Sequence, residues 1–417
     1  MALAQVLLMT DTTTDTDVVI IGGGLAGSTA AAMLGRAGIR AALIDPHQVY
    51  PPDLRCEKLD DDQVSILRKT GLADAILPKA TFDGDTRDGK AWVARSGYLL
   101  DKQPGGQHGI LYDDLVNAMR AAIPPSVPFT IAKATGITVG DDRQEVLLSN
   151  GASISARLVV LAHGLSVALK DQIGIERVVI SPCHSITLAF DIKPRHGAFD
   201  FSALTYYPER TTDRMAYLTL FPIRASMRGN LMVYRNMDDP WLRDVRHDPE
   251  RSLFALMPKL RRLTGDIEII GPIKIRPADL YVSKGYRQAG IVLVGDAFAT
   301  SCPAAGSGTR KLFNDVERLC NIHIPNWLAS PGMTAGKIAQ FYDDPLKRSY
   351  DTASESFAYQ LRSLSIDDSF SWKLKRNLRF IVRAAIGAAR RLGMIALADR
   401  VASEGWSQRF RDLADRA

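Results

Sequence analysis

Two glycine clusters are the residues of this chain whose types and spacing could do chemistry. The first lies in "DVVIIGGGLAGSTAA", which begins at Asp17, where Gly22, Gly24 and Gly27 spell G-x-G-x-x-G. In such a turn Gly22 permits the tight bend, Gly24 lets a pyrophosphate reach the backbone, and Gly27 lets helix and strand pack closely. The second cluster lies in "IVLVGDAFATSCPAAGSGTRKLFNDVERL", from Ile291, and combines Gly295-Asp296 with Pro303, Gly306, Gly308 and Asp315.

Particular elements must position these residues. Val18 to Ile21 form an uninterrupted apolar run, the mark of a buried parallel strand. Ser28 to Arg36 read as a helix ended near Gly38, and a second apolar run, "IRAALID", ends in Asp45. The helix N-terminus offers free N–H groups and a positive dipole end to phosphates. Asp45 stands where a carboxylate binds the adenosine ribose hydroxyls of a bound dinucleotide. This motif alone does not separate FAD from NAD. Ile291 to Val294 form another buried strand leading into the second cluster.

The second cluster resembles the "GD" motif of FAD-dependent monooxygenases of the para-hydroxybenzoate hydroxylase type. That pattern runs G-D-A, then P-x-x-G-x-G and a helix carrying an aspartate, and Pro303 to Asp315 match it without a gap. The resemblance implies FAD as cofactor, with Asp296 on its ribitol chain. It also implies that the loop Pro303 to Gly308 lies against the flavin pyrimidine edge, its N–H groups stabilising negative charge on reduced flavin. Arg310 stands where the family often has Asn, and Leu312 replaces a later glycine. Arg310 is either a charge at the flavin, joining Pro303 and Gly306 as a catalytic candidate, or a surface arginine on a helix. In the family an arginine after the second strand reaches the FAD pyrophosphate; in "PPDLRCEKL" Arg55 is the candidate, with Lys58 second.

Family members carry A-D-G-x-x-S-x-x-R between the two clusters. This chain reads Ala162-His163-Gly164, with Val167 in the serine position and Lys170 in the arginine position. That departure leaves direct reduction by NAD(P)H open. His163 is either a titrating functional group or a local polar contact at a strand end.

Residues 178–285 change character. "SITLAFDI", "ALTYYPE", "MAYLTLFPI" and "NLMVYRN" are short β runs, several alternating apolar and polar positions as a sheet with one covered face does. The resemblance makes this a substrate domain whose sheet roofs the flavin. His184, Tyr206, Tyr217, Phe221 and Arg235 are the candidates to line its pocket, although a one-residue register error inverts the faces. No Ser-His-Asp triad, phosphate P-loop or metal-ligand spacing is present, so no metal is expected. The halogenase-type W-x-W-x-I-P motif is absent, which argues against halogenation.

The chain has 417 residues and a net charge of +6, yet residues 371–417 alone hold eleven basic and four acidic residues. There Leu374, Leu378, Ile381, Ala385, Ala388, Leu392 and Ile395 recur at intervals of four and three, one apolar stripe on a helix, with the basic residues off it. Two readings stand: a helix packed on the FAD-binding part with a solvated basic face, or peripheral contact with an anionic membrane or an acidic partner. Nucleic acid is not expected, because no reading module accompanies the charge. Four widely spaced cysteines without a CxxC pair, and an N-terminus without a signal-peptide pattern, suit a reduced, cytoplasmic setting.

The expected fold is α/β: a Rossmann-like FAD-binding parallel sheet, an antiparallel β-sheet substrate domain and a helical C-terminus. The FAD-binding part comprises residues 15–177 and 286–345, the substrate domain 178–285, and the C-terminal helical region 346–417. The resemblance implies an FAD-dependent monooxygenase. NAD(P)H reduces the flavin, oxygen adds at C4a, and the hydroperoxide hydroxylates an aromatic or lipophilic small molecule. The alternatives are a flavin-dependent reductase or dehydrogenase of an unsaturated lipid-like substrate, and a flavoprotein component that needs a partner.

Overall fold

The computed structural model describes residues 13–82, 91–103 and 107–394. The first strand, Thr13–Ile21, pairs in parallel with Ala41–Asp45 on one side and Ser153–Leu161 on the other. Val18, Val19 and Ile20 are wholly buried, as a strand covered on both faces requires. Phe129–Ile131 extends the sheet in parallel beyond Ala41–Asp45, and the antiparallel strands Gln144–Leu148 and Ala134–Val139 extend the far side. The chain returns to this sheet much later, when Ile291–Leu293 pairs in parallel with Ser153–Leu161.

The register decides where the site lies. Ile21 sits beside Ile44 and Leu161, and Leu161 beside Leu293. The turns that leave these strands, at Gly22, Asp45, Ala162 and Gly295, therefore meet along one edge of the sheet. In open parallel sheets ligands bind at the carboxyl ends of the strands.

A second sheet of seven strands stands over this edge, in the order Ile267–Lys284, Glu176–Pro194, Ser226–Val233, Met215–Ile223, Ala203–Tyr207, Ala91–Arg95, Tyr98–Gln103. Neighbours are antiparallel except Ala203–Tyr207 with Ala91–Arg95, which run parallel. The last two strands come from residues 91–103, well before the stretch expected to form this sheet. Alternation sorts its faces. Ile186, Leu188, Leu218, Leu220 and Leu231 point into a core closed by Leu242, Val245, Leu253 and Leu256 of the helices Pro240–His247 and Pro249–Leu256. The intervening Thr187, Thr219 and Met232 point the other way, toward the first sheet.

Two long helices, Pro345–Ile366 and Phe370–Arg391, complete the described chain. The last one differs from expectation. It packs on Tyr98–Gln103 of the second sheet, so closely that a Cβ on Gly387 would lie 2.0 Å from the Leu100 carbonyl oxygen. Its arginines turn inward: Arg390 binds Asp101 at 2.7 Å and Arg379 donates to the Tyr207 hydroxyl at 3.1 Å. The solvated face of this helix is therefore the apolar stripe, and the basic face is largely the packed one. Buried Asp101, wholly enclosed, sets that orientation by demanding cations.

Candidate functional site

The glycine turn is built by close backbone approach. Gly22 has φ +105°, and a Cβ there would fall 2.6 Å from the Ala162 carbonyl oxygen. A Cβ on Gly27 would fall 1.8 Å from the Gly22 carbonyl oxygen. Gly24, by contrast, has only Tyr50 within reach, at 4.0 Å, and faces open space. Helix Leu25–Arg36 follows with no side chain capping its first turn, so its N–H groups point into the cavity undressed. Asp45 is buried at the edge beside it. Its carboxylate accepts from the N–H of Gly23 (2.7 Å) and of His47 (2.8 Å), and pairs with Arg120 at 3.1 Å.

Arg120 is a residue the sequence reading missed. It reaches across from helix Tyr112–Ala121 and donates to the Gly23 carbonyl from Nε (2.9 Å) and Nη2 (2.7 Å). It locks the glycine turn to Asp45. No local motif surrounds it, so only its place at the end of an amphipathic helix could have drawn notice.

Arg55 and Asp296, 241 positions apart, meet: Arg55 donates from Nη1 to Asp296 at 2.6 Å and from Nε to Asp53 at 2.7 Å. Burial alone would lower the Arg55 pKa, but Asp296, Tyr112 and Asp53 together outweigh it and hold the guanidinium charged. Tyr281 donates its hydroxyl to the Asp296 carbonyl. Lys170, wholly buried, donates to Ser283 Oγ and to the Ala297 carbonyl, each at 3.2 Å, so the third motif is tied to the second. His163 lines the cavity with both ring nitrogens buried and without a partner. Burial, reinforced by Lys170, pushes its pKa down to about 4, so the ring is neutral near pH 7.

Pro303, Gly306 and Gly308 line the same cavity. Gly306 takes the left-handed conformation, φ +64°, that ends the short turn Pro303–Ala305. Its carbonyl accepts from Gln63 Nε2 at 3.1 Å. Helix Gly308–Arg318 starts here with no acidic residue in its first turn. Arg310 does not belong to the cavity wall: it turns outward to Asp62 at 2.9 Å, which is the surface-arginine alternative. Asp315, wholly buried, pairs with Lys347 at 3.3 Å and anchors this helix to Pro345–Ile366.

Of the five residues expected to line the roof, Tyr217 and Phe221 do so. Tyr217 donates its hydroxyl to the Ala304 carbonyl, joining roof to loop. Three lie elsewhere. Tyr206 is wholly buried on the opposite, core face with Leu204, its hydroxyl on Glu209 at 3.1 Å; the two-residue period of the strand puts it there. His184 is enclosed between Tyr234 and Tyr359, with Nδ1 3.1 Å from Ser181 Oγ. Arg235 is spent on Asp239 and the Asp213 carbonyl, both at 2.9 Å. The roof instead presents Thr187, Thr219, Asn230 and Met232. Beside them sits a buried polar group: Glu57 pairs with Arg228, which also holds Asp191 at 2.7 Å, and the Asn230 amide nitrogen turns to Glu57 Oε2 at 3.1 Å. Burial raises the Glu57 pKa, against the pull of Arg228.

All these walls enclose one cavity of about 810 Å³, running from Gly22, Gly24 and Asp45 past Arg55 and Asp296 to Pro303 and the roof. It fits an FAD. The cradle at Gly24 leaves room for a diphosphate, and the uncapped helix N-terminus and the partnerless His163 nitrogens are polar groups that such a ligand would satisfy.

Comparison with known proteins agrees. Residues 15–322 match the family described as "FAD binding domain". The chain is 25% identical over 334 residues to 3-demethoxyubiquinol 3-hydroxylase of Escherichia coli (strain K12), covering 74% of this chain and 79% of that protein. It is 22% identical over 330 residues to 6-hydroxynicotinate 3-monooxygenase of Bordetella bronchiseptica, covering 73% and 82%. Among solved structures, p-nitrophenol 4-monooxygenase PnpA from Pseudomonas putida DLL-E4 shares the fold at a TM-score of 0.70 and 16% identity, over 93% of this chain and 98% of that one.

Proposed function

This chain belongs to the FAD-binding domain family and is an FAD-dependent monooxygenase, and on that premise we propose that it hydroxylates an aromatic or lipophilic small molecule seated under the second sheet, with NAD(P)H as electron donor. The observation that carries the reading is the continuity of one cavity from the glycine turn to the roof. Relatives named for hydroxylation of a quinol and of a nicotinate support the substrate class. Four unpaired cysteines, Cys56, Cys183, Cys302 and Cys320, favour a reducing, cytoplasmic setting. Among the described residues no helix is long and apolar enough to cross a membrane.

When bound, FAD supplies the redox chemistry: it takes two electrons from the nicotinamide and passes them to dioxygen, one oxygen atom entering the substrate and the other leaving as water. The protein's tasks are binding, orientation and exclusion of water. Gly24 and the first turn of helix Leu25–Arg36 would hold the diphosphate, with Arg55 reaching it from beside Asp296, while Asp45 would hold the ribose hydroxyls and Asp296 the polyol. The backbone from Pro303 to Gly308 would face the reacting edge and favour negative charge there. Phe221 and Met232 offer apolar contact to a ring, while Thr187, Thr219 and Asn230 offer hydroxyls and an amide to orient a phenol or quinol. Glu57, whose pKa burial raises against the pull of Arg228, is an acidic group in the same wall.

The test is NAD(P)H consumption by the FAD-loaded protein across a panel of phenols, quinols and unsaturated lipids, under labelled oxygen. The reading expects substrate-stimulated consumption and a product heavier by one labelled oxygen atom. Saturation of an alkene without oxygen incorporation would replace it with the reductase alternative.

A further inference from the structure

The C-terminal helix, Phe370–Arg391, carries seven basic side chains and no acidic one. A surface helix normally turns its apolar stripe inward. This one does the reverse. Arg376, Arg383 and Arg390 are nearly buried, engaged with the Leu364 carbonyl and with Asp101. Meanwhile Phe370 is 81% exposed, Leu374 58%, Leu378 56% and Ile381 64%. Their spacing puts them in one row along the helix. The exposed charges of this helix, Lys373 and Lys375 beside the row and Arg391 at the helix C-terminus, are all positive.

We propose that this face docks on an anionic bilayer surface, the helix lying in the plane of the headgroups with its apolar row among the upper acyl chains. Charge complementarity selects this occupant. Two copies of the chain meeting through the row would bring like charges together, whereas anionic headgroups neutralise them. Arg383 and Arg390 are fixed inward by Asp101 and Arg376 by the Leu364 carbonyl, so the helix cannot roll to hide its apolar row. The seat also lies close to the site: Phe380 of this helix packs on Tyr207 at 5.2 Å, and Tyr207 on Tyr217, a cavity wall residue, at 6.1 Å. A substrate dissolved in lipid would thus meet the protein beside its cavity. The docking does not rest on the catalytic reading, since an inactive protein would bind lipid equally well.

The test uses the full-length FAD-loaded protein in co-sedimentation with vesicles of phosphatidylcholine alone and of phosphatidylcholine mixed with phosphatidylglycerol. The expected result is partitioning onto the mixed vesicles. The pair Leu378→Gln/Ile381→Gln should weaken it about a hundredfold, the loss of two buried aliphatic side chains. The pair Lys373→Glu/Lys375→Glu should erase the preference for the anionic lipid. Both variants should keep wild-type flavin absorbance and melting temperature, because the changed positions are exposed. Absence of partitioning, or equal partitioning by wild type and the Leu378/Ile381 variant, overturns the proposal. So does a wild-type dimer that this variant splits, which would assign the face to a second copy. A fall of several degrees in the variant's melting temperature also overturns it, by assigning the face to residues 395–417 of the same chain.

Discussion

Alanine at Gly24 and alanine at Gly27 add the same methyl group to the same turn, and the geometry assigns them opposite consequences. At Gly27 the new Cβ would lie 1.8 Å from the Gly22 carbonyl oxygen and 3.2 Å from the Ala162 Cβ. The first of these is backbone and cannot swing away. Relief requires helix Leu25–Arg36 to lift off the strand, an overpacking strain of about 1–3 kcal/mol or more, of which the better helix propensity of alanine returns roughly 1 kcal/mol. At Gly24 φ is −73°, open to any residue, and nothing stands nearer than Tyr50 at 4.0 Å. The FAD-free Gly24→Ala protein should therefore melt like wild type, while Gly27→Ala melts several degrees lower. FAD affinity sorts differently. The Gly24 methyl stands where the diphosphate must meet the backbone, and about 1–3 kcal/mol of lost contact is a ten- to hundredfold rise in Kd. Flavin fluorescence titration of FAD-free protein, with thermal unfolding of the same samples, reads both quantities. Wild-type FAD affinity in Gly24→Ala, or a wild-type melt in Gly27→Ala, would refute the division of labour between the two glycines.

Other expectations follow from the same geometry. Arg55→Lys loses the fork that spans Asp53 and Asp296, so FAD Kd should rise about tenfold or more in the same titration; an unchanged Kd would remove Arg55 from the cofactor's contacts. Arg228→Met leaves Glu57 buried without its cation, which should destabilise the protein by about 3–5 kcal/mol in denaturant unfolding at pH 7. That loss should shrink at pH 5 as Glu57 takes a proton; a loss independent of pH would mean packing, not charge, dominates. His163 is neutral in the folded FAD-free protein until about pH 4, whereas the unfolded chain binds its proton from about pH 6.5. The unfolded state therefore gains protons first, and stability should fall as pH drops from 6.5 toward 4, by up to about 3 kcal/mol. His163→Asn should flatten that part of the stability profile, and an identical profile would show that the ring is not desolvated.

Much of the cofactor side of this protein is legible in local sequence, because each part is a short-range rule. An apolar run before Gly22 makes a strand, small residues after it a helix, and Asp45 ends the next run at the height the parallel register dictates. Gly295-Asp296 repeats that logic, and strand pairing alone brings it beside Gly22. The substrate side is less legible because its rules are long-range. The hairpin at residues 91–103 joins the second sheet through pairing with Ala203–Tyr207, more than a hundred residues away, which no local pattern announces. Tyr206 and Phe221 look alike in sequence, yet strand parity sends one to the core and the other to the cavity. Arg310 follows Asp62, and the C-terminal arginines follow Asp101, partners that only the folded chain supplies. An apolar stripe of helical period states that one face is apolar; it does not state that this face is turned inward.

The central claim is that two glycine motifs, far apart in the chain, hold a single FAD along one continuous cavity. A crystal structure of the protein grown with FAD tests it most directly. One dinucleotide is expected, its diphosphate at Gly24 and the first turn of helix Leu25–Arg36, its polyol beside Arg55 and Asp296, and its ring system against Pro303 to Gly308 under Phe221. Density for a cofactor that touches only one of the two motifs, or that lies outside this cavity, would contradict it.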